Sequence, residues 1–156
     1  MKINWKTLIF FVSIPLLVGG FASLISRESM SMFEQLTKPP LSPPGWLFPL
    51  VWTVLYIFMG LASYLVFTSN HNKNEIKTAL QIYALQLIFN FFWTILFFNF
   101  ELYFFAFFWL ITLLALIILT TFLFYENSKL AAYLIIPYII WVTFAAYLNL
   151  GVALLN

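Results

Sequence analysis

Charged side chains are so sparse along this chain that they act as punctuation between long apolar runs. Five uncharged stretches stand out: Thr7 to Ser26, Pro39 to Asn72, Thr78 to Phe100, Leu102 to Tyr125 and Leu130 to Asn156. Each is continuous in Leu, Ile and Phe, and each can supply the roughly 20 residues that a helix needs to cross about 30 Å of hydrocarbon. A membrane barrel would instead read as segments of about ten residues that alternate between apolar and polar. The pattern predicts an all-α integral membrane protein, a bundle of five transmembrane helices in a single domain over residues 1–156. The helices are expected at about 7–26, 45–67, 78–99, 102–124 and 130–154, with a lid loop over about 27–44.

Within the apolar background, polar and aromatic residues fall on single helical faces. The run Lys38-Pro-Pro-Leu-Ser-Pro-Pro-Gly-Trp-Leu-Phe-Pro-Leu-Val-Trp-Thr-Val-Leu-Tyr56 ends a loop and begins a helix. Prolines 39, 40, 43 and 44 are excluded from a helix interior, whereas Pro49 is tolerated in a first turn, where the missing donor costs little. On that helix Pro49, Trp52, Tyr56 and Gly60 share one face, which suits something flat. In the third helix Gln86, Asn90, Trp93 and Phe97 make one stripe, and in the fifth Tyr138, Trp141, Ala145 and Asn149 make another. Pro15 and Pro137 remove the donors for the carbonyls of Phe11 and Tyr133. The fourth helix reads as a lipid-facing wall, with Trp109 and Thr112 able to turn inward.

Composition agrees with the pattern. At 64% hydrophobic and 8% charged residues, with a mean hydropathy of +1.01, the chain lacks the polar surface to coat a water-soluble globule. The first run could serve as a signal peptide behind Lys2 and Lys6. Its length through Ile25 and the packing face Pro15, Gly19 and Ser23 favour a retained helix. Lys2, Lys6, Lys73, Lys77 and Lys129 fall on one side of the membrane and Arg27 and Lys38 on the other, so the N-terminus is expected in the cytoplasm. The net charge of +2 is scattered, and no nucleic-acid surface is expected.

The chain also lacks the usual parts for several chemistries. Glu28, Glu34, Glu75, Glu101 and Glu126 lie in loops or at span ends, and the lone His71 reads as a solvated loop residue. Ion-coupled transport normally keeps ionisable groups within its spans. Without cysteine and with one histidine, no metal site is expected. No inverted repeat is evident, and acid–base or nucleophilic catalysis lacks its groups. For the intramembrane amides Gln86 and Asn149 the plain alternative is helix–helix bonding. Trp5 and Trp46 read as interfacial anchors.

Three segments carry a resemblance: Pro39 to Tyr56, Gln86-Leu-Ile-Phe-Asn-Phe-Phe-Trp93 with Phe97-Phe98, and Pro137-Tyr-Ile-Ile-Trp-Val-Thr-Phe-Ala-Ala-Tyr-Leu-Asn149. In this order they closely resemble the TspO/MBR family, over nearly the whole chain. The resemblance implies a five-helix bundle, commonly a homodimer, in a bacterial plasma membrane, with a pocket opening toward the loop after the first helix. It also implies binding of porphyrins such as protoporphyrin IX and of isoquinoline carboxamide or benzodiazepine ligands. Carried over residue by residue, it places Trp52, Asn90, Trp93, Trp141 and Ala145 at the pocket, with Ala22 or Ser23 beside them. The sequence departs from the sterol motif of the animal members, since Leu150 follows Asn149 with no basic residue after it, and the resemblance is not extended to sterol binding.

The leading expectation is therefore a membrane receptor, carrier or sensor for tetrapyrroles that needs no cofactor, with the porphyrin as ligand or substrate. The residues singled out for ligand contact are Ala22, Ser23, Trp52, Tyr56, Gln86, Asn90, Trp93, Trp141 and Ala145, with Arg27 and Lys38 in the lid as partners for propionates. The alternatives are a light-dependent enzyme that degrades bound porphyrin, using Trp52 and Trp141 as oxidisable indoles, and a non-catalytic scaffold.

Overall fold

A computed structural model describes residues 2–156. It contains five long helices: α1 (Trp5–Phe33), α2 (Leu47–Phe67), α3 (Lys73–Thr94), α4 (Tyr103–Asn127) and α5 (Lys129–Leu155), with a π-helical turn, Ile95–Asn99, extending α3. All five are long and apolar enough to cross a membrane, and no strand occurs among the described residues. The helices form a ring in which α1 packs on α2, α2 on α5, α5 on α4 and α4 on α3, and α3 returns to α1.

The largest departures of helix ends from the sequence expectation are extensions of α1 and α3. α1 runs on to Phe33, so Arg27 and Glu28 are helical and the lid is the shorter segment 34–46 rather than 27–44. α3 begins at Lys73 rather than near 78, capped by the Asn72 side chain, which accepts from the Asn74 N–H at 2.8 Å. A helix has no reason to stop where hydrocarbon stops. Charged residues mark the edge of the lipid, whereas caps mark the end of the helix.

Small residues set the helix spacing. Ala62, Ala79, Ala106 and Ala131 are fully buried, which lets backbones approach as closely as membrane bundles require. Leu110, Leu113, Ile117 and Phe124 give α4 a buried face against α3 and α5, while Phe104, Phe105, Phe108 and Phe122 face lipid. So α4 is half wall and half core. Its Trp109 turns toward α3, where the indole N–H donates to the Phe89 carbonyl at 2.8 Å and the ring stacks on Phe89.

The closest approach is between α1 and α2. A Cβ on Gly60 would overlap the Val12 backbone and crowd the Phe11 carbonyl, the group that Pro15 leaves without its helical donor. Gly20, by contrast, faces open space. Gly60→Ala should therefore lower the melting temperature of the detergent-solubilised protein, at a cost of about 1–3 kcal/mol for the forced shift. Gly20→Ala should leave it unchanged or raise it, since alanine is the better helix former by about 0.5–1 kcal/mol. Equal melting temperatures for the two variants would contradict the packing.

Candidate functional site

One end of the ring does not close on itself. Between α1, α2, the end of α3 and α5 lies a cavity of about 490 Å³, within the ~300–1,000 Å³ typical of small-molecule sites. α2 supplies Phe48, Pro49, Trp52, Thr53 and Tyr56, and α5 supplies Ala145, Leu148, Asn149 and Val152. Gly19, Gly20, Ala22 and Ser23 of α1 form the thin wall, and Trp93, Thr94, Phe97 and Phe98 a further side.

The aromatic wall is built on α2. Trp52 and Tyr56, four residues apart, are stacked with ring centroids 5.5 Å apart and planes at 27°. Trp93 of α3 lies 6.4 Å from Trp52 and Trp141 of α5 lies 6.5 Å from it, edge-on at 89°. The three tryptophans thus converge on one region inside the bundle. Tyr56 sits there because Gly19 lacks a side chain: a Cβ at residue 19 would overlap its ring. The π-helical turn shifts the register after Thr94 and brings Phe97 and Phe98 together into the cavity. A bond from the Ser26 hydroxyl to Asn99 Oδ1, at 2.6 Å, and one from Asn99 Nδ2 to the Ile25 carbonyl, at 3.2 Å, tie that turn to α1.

The amides expected at the ligand are used differently. Tyr56 OH donates to Asn90 Oδ1 at 2.9 Å, Asn90 Nδ2 donates to Tyr138 OH at 2.7 Å, and Tyr138 OH donates to Gln86 Oε1 at 2.8 Å. This buried chain joins α2, α3 and α5 beneath the cavity, and neither Gln86 nor Asn90 lines it. Both are consumed by helix–helix bonding, because a buried amide in an apolar interior costs less when it is paired. Asn149 takes two roles. It accepts from the Trp93 indole at 3.0 Å, donates to the Tyr103 carbonyl at 2.8 Å, and still borders the cavity.

Of the other expected residues, Ala22, Ser23, Trp52, Tyr56, Trp93 and Ala145 line the cavity. Trp141 stands behind Trp52, against Phe48 and Phe144, and its buried indole N–H has no partner among the described residues. Arg27 lies on the outer flank of α1, away from the cavity. Lys38 sits at the rim, with its ammonium 4.8 Å from the Phe33 ring centroid, and Phe33 and Glu34 border the opening.

Segment 34–46 covers the loop end of the cavity and is fastened to α5. The Asn156 side chain accepts from the Thr37 N–H at 3.0 Å and donates to the Thr37 carbonyl at 2.7 Å, and Tyr147 OH donates to the Pro40 carbonyl at 2.7 Å. Pro39 rests on Gly151, where a Cβ would strike its ring. Sequence reasoning missed these clasps, and it missed Phe48, Thr53, Phe98, Leu148 and Val152 in the lining. Phe48 and Thr53 lie three or four positions from Pro49, Trp52 or Tyr56, so widening that stripe would have found them. The π turn left no periodic signal.

No group of three or more His, Cys, Asp or Glu side chains suited to a metal ion occurs among the described residues. The cavity is mainly apolar and aromatic, with several hydroxyls, the Asn149 amide and the Glu34 carboxylate among its lining groups. A sequence model of the TspO/MBR family matches residues 11–155. The chain is 36% identical to the tryptophan-rich protein TspO of Chlorobaculum tepidum over 151 residues, 96% of each chain. It is 32% identical to the protein of the same name from Archaeoglobus fulgidus, over 98% of this chain and 99% of that one. It is also 34% identical to the translocator protein of Ovis aries, over 93% of this chain and 87% of that one. With three aromatic and amide stripes meeting where the sequence motifs lie, and a match that covers nearly its whole length, the chain belongs to the TspO/MBR family.

Proposed function

We propose that this protein is a membrane receptor for tetrapyrroles such as protoporphyrin IX, and that the same cavity admits flat synthetic ligands of the isoquinoline carboxamide and benzodiazepine type. The observation that carries this reading is the stacked Trp52–Tyr56 pair on the cavity wall, with the Tyr56 ring seated against Gly19. A planar macrocycle gains about 0.5–1.5 kcal/mol per aromatic contact beyond its area burial. Ser23 and Asn149 offer hydrogen bonds, and Lys38, whose ammonium lies over the Phe33 ring at the cavity edge, is the cation we assign to a propionate. Relatives named translocator protein and TspO agree with a receptor or carrier role. The distribution of basic residues supports an N-terminus on the cytoplasmic side of a bacterial plasma membrane in this reading, with the loop end of the cavity on the far side. Two copies pair as a homodimer in this reading.

A titration of protoporphyrin IX into the purified protein in the dark, read by absorbance, should give a saturable spectral change. Trp52→Ala should weaken binding about tenfold through lost stacking and burial. The absence of saturable binding by the parent would refute the reading. A second reading is favoured by the edge-on approach of Trp141 to Trp52: under light the excited ring takes an electron from an indole and hands it to dioxygen, the indole radical cation recovers an electron from the ring, and superoxide combines with the ring radical cation, so that ring and dioxygen join and the indole is restored. Repeating the titration under a lamp distinguishes them. Slower bleaching in Trp52→Phe and Trp141→Phe supports photochemistry, whereas rates equal to those of porphyrin in detergent leave only the receptor.

A further inference from the structure

A second concavity runs down the outside of α1, bordered by Leu16, Leu17, Gly20, Phe21, Ser23, Leu24, Arg27 and Met30. α1 is the least buried of the five spans, and Leu17, Phe21 and Leu24 are strongly exposed along this flank. The groove exists because Gly20 and Ser23 interrupt the bulk of their neighbours; a Cβ on Gly20 meets nothing within 4 Å. Its one charged group is Arg27, and no carboxylate lines it.

The dimensions match one leaflet. From Lys6 to Arg27 the helix rises about 31 Å at 1.5 Å per residue, close to the roughly 30 Å of a bilayer's hydrocarbon. The two cations therefore bracket the apolar layer, and Arg27 lies at headgroup level. From Leu17 to Arg27 the groove spans about 15 Å, half of that layer.

We infer that this groove holds an anionic phospholipid, with its phosphate on the Arg27 guanidinium and one acyl chain laid along Leu17, Phe21 and Leu24 across Gly20. Charge complementarity selects the occupant. A guanidinium grips a phosphate through two parallel N–H donors, and a lone cation beside apolar surface favours a headgroup of net negative charge. Because Leu16, Gly20, Ser23 and Met30 border both the groove and the ligand cavity, the bound chain lies against the thin wall of the cavity. The assignment does not depend on which ligand the cavity takes.

The test is native mass spectrometry of the full protein from micelles doped with equimolar phosphatidylglycerol and phosphatidylcholine. The parent should retain phosphatidylglycerol in about fivefold preference, the selectivity of one basic residue at the membrane surface. Arg27→Gln should bring the ratio to parity and Arg27→Lys should keep part of it. Gly20→Leu, which fills the groove while leaving the charge, should lower retention of both lipids. Lys38→Gln, on the same side of the membrane, should leave the ratio of the two retained lipids at its parent value, and inorganic phosphate should not displace the lipid. A preference that survives Arg27→Gln, or an equal loss in Lys38→Gln, would overturn the site in favour of unspecific surface charge. Displacement by inorganic phosphate would reduce it to a free-anion contact, and a lipid-free dimer would show that a second copy covers the groove.

Discussion

Ala145→Phe is expected to lower the affinity for an isoquinoline carboxamide by about tenfold to a hundredfold, the usual effect of forcing bulk into a filled site. Ala145 is nearly buried, one turn beyond Trp141 on α5, and its methyl borders the cavity. A phenyl ring there has the cavity itself to occupy, so the ligand loses its space while the helix keeps its neighbours. The melting temperature should shift little. A titration beside a thermal melt separates the two effects. Unchanged affinity would place the ligand away from α5, and a collapse in melting temperature would mean that Ala145 serves packing alone.

Asn90→Leu should produce the largest loss of stability among single changes in the spans, on the order of 2–4 kcal/mol. The substitution removes two hydrogen bonds and leaves Tyr56 OH without its acceptor and Tyr138 OH without its donor, all of them buried. Interhelical bonds in membranes average only about 0.6 kcal/mol, since an opened helix finds other partners. The larger figure comes from hydroxyls stranded in an apolar interior. Tyr138→Phe, which also breaks two bonds, should fall nearly as far, and Tyr56→Phe, which breaks one, about half as far. Thermal melts rank the series. Ligand affinity provides the second readout: because Asn90 does not line the cavity, the folded fraction of the variant should bind nearly as the parent does. An unaltered melt together with lost binding would show that the amide touches ligand and that the network is secondary.

That contrast bears on what a sequence can reveal. Spacing put Gln86, Asn90 and Trp93 on one stripe, and they do share a face of α3 directed into the bundle. Spacing could not divide that face by depth. Trp93 reaches the cavity, while Asn90 and Gln86, one and two turns earlier, meet Tyr56 and Tyr138. A partner is a property of another helix, and the pairing depends on how α2 and α5 lean on α3. Arg27 shows the same gap. Its place after the first apolar run suggested a loop cation near the ligand, whereas the helix carries it to the lipid-facing flank.

The number of helices, their membrane character and the faces bearing Trp52, Trp93 and Trp141 were determined by the sequence alone. Hydrocarbon length and the 3.6-residue period leave few alternatives once charges are so rare. The family motifs were equally plain, because they consist of contiguous runs. Tertiary structure alone decided where the empty space lies. It depends on Gly19 yielding to the Tyr56 ring, on Gly60 letting α1 and α2 touch below, and on the π turn carrying Phe97 and Phe98 inward above. It also decided that the loop is closed by Asn156, Tyr147 and Gly151, residues more than a hundred positions away in the chain. The physical reason is that local pattern sets which side of a helix is polar, small or aromatic, whereas a cavity is the volume that several helices jointly fail to fill.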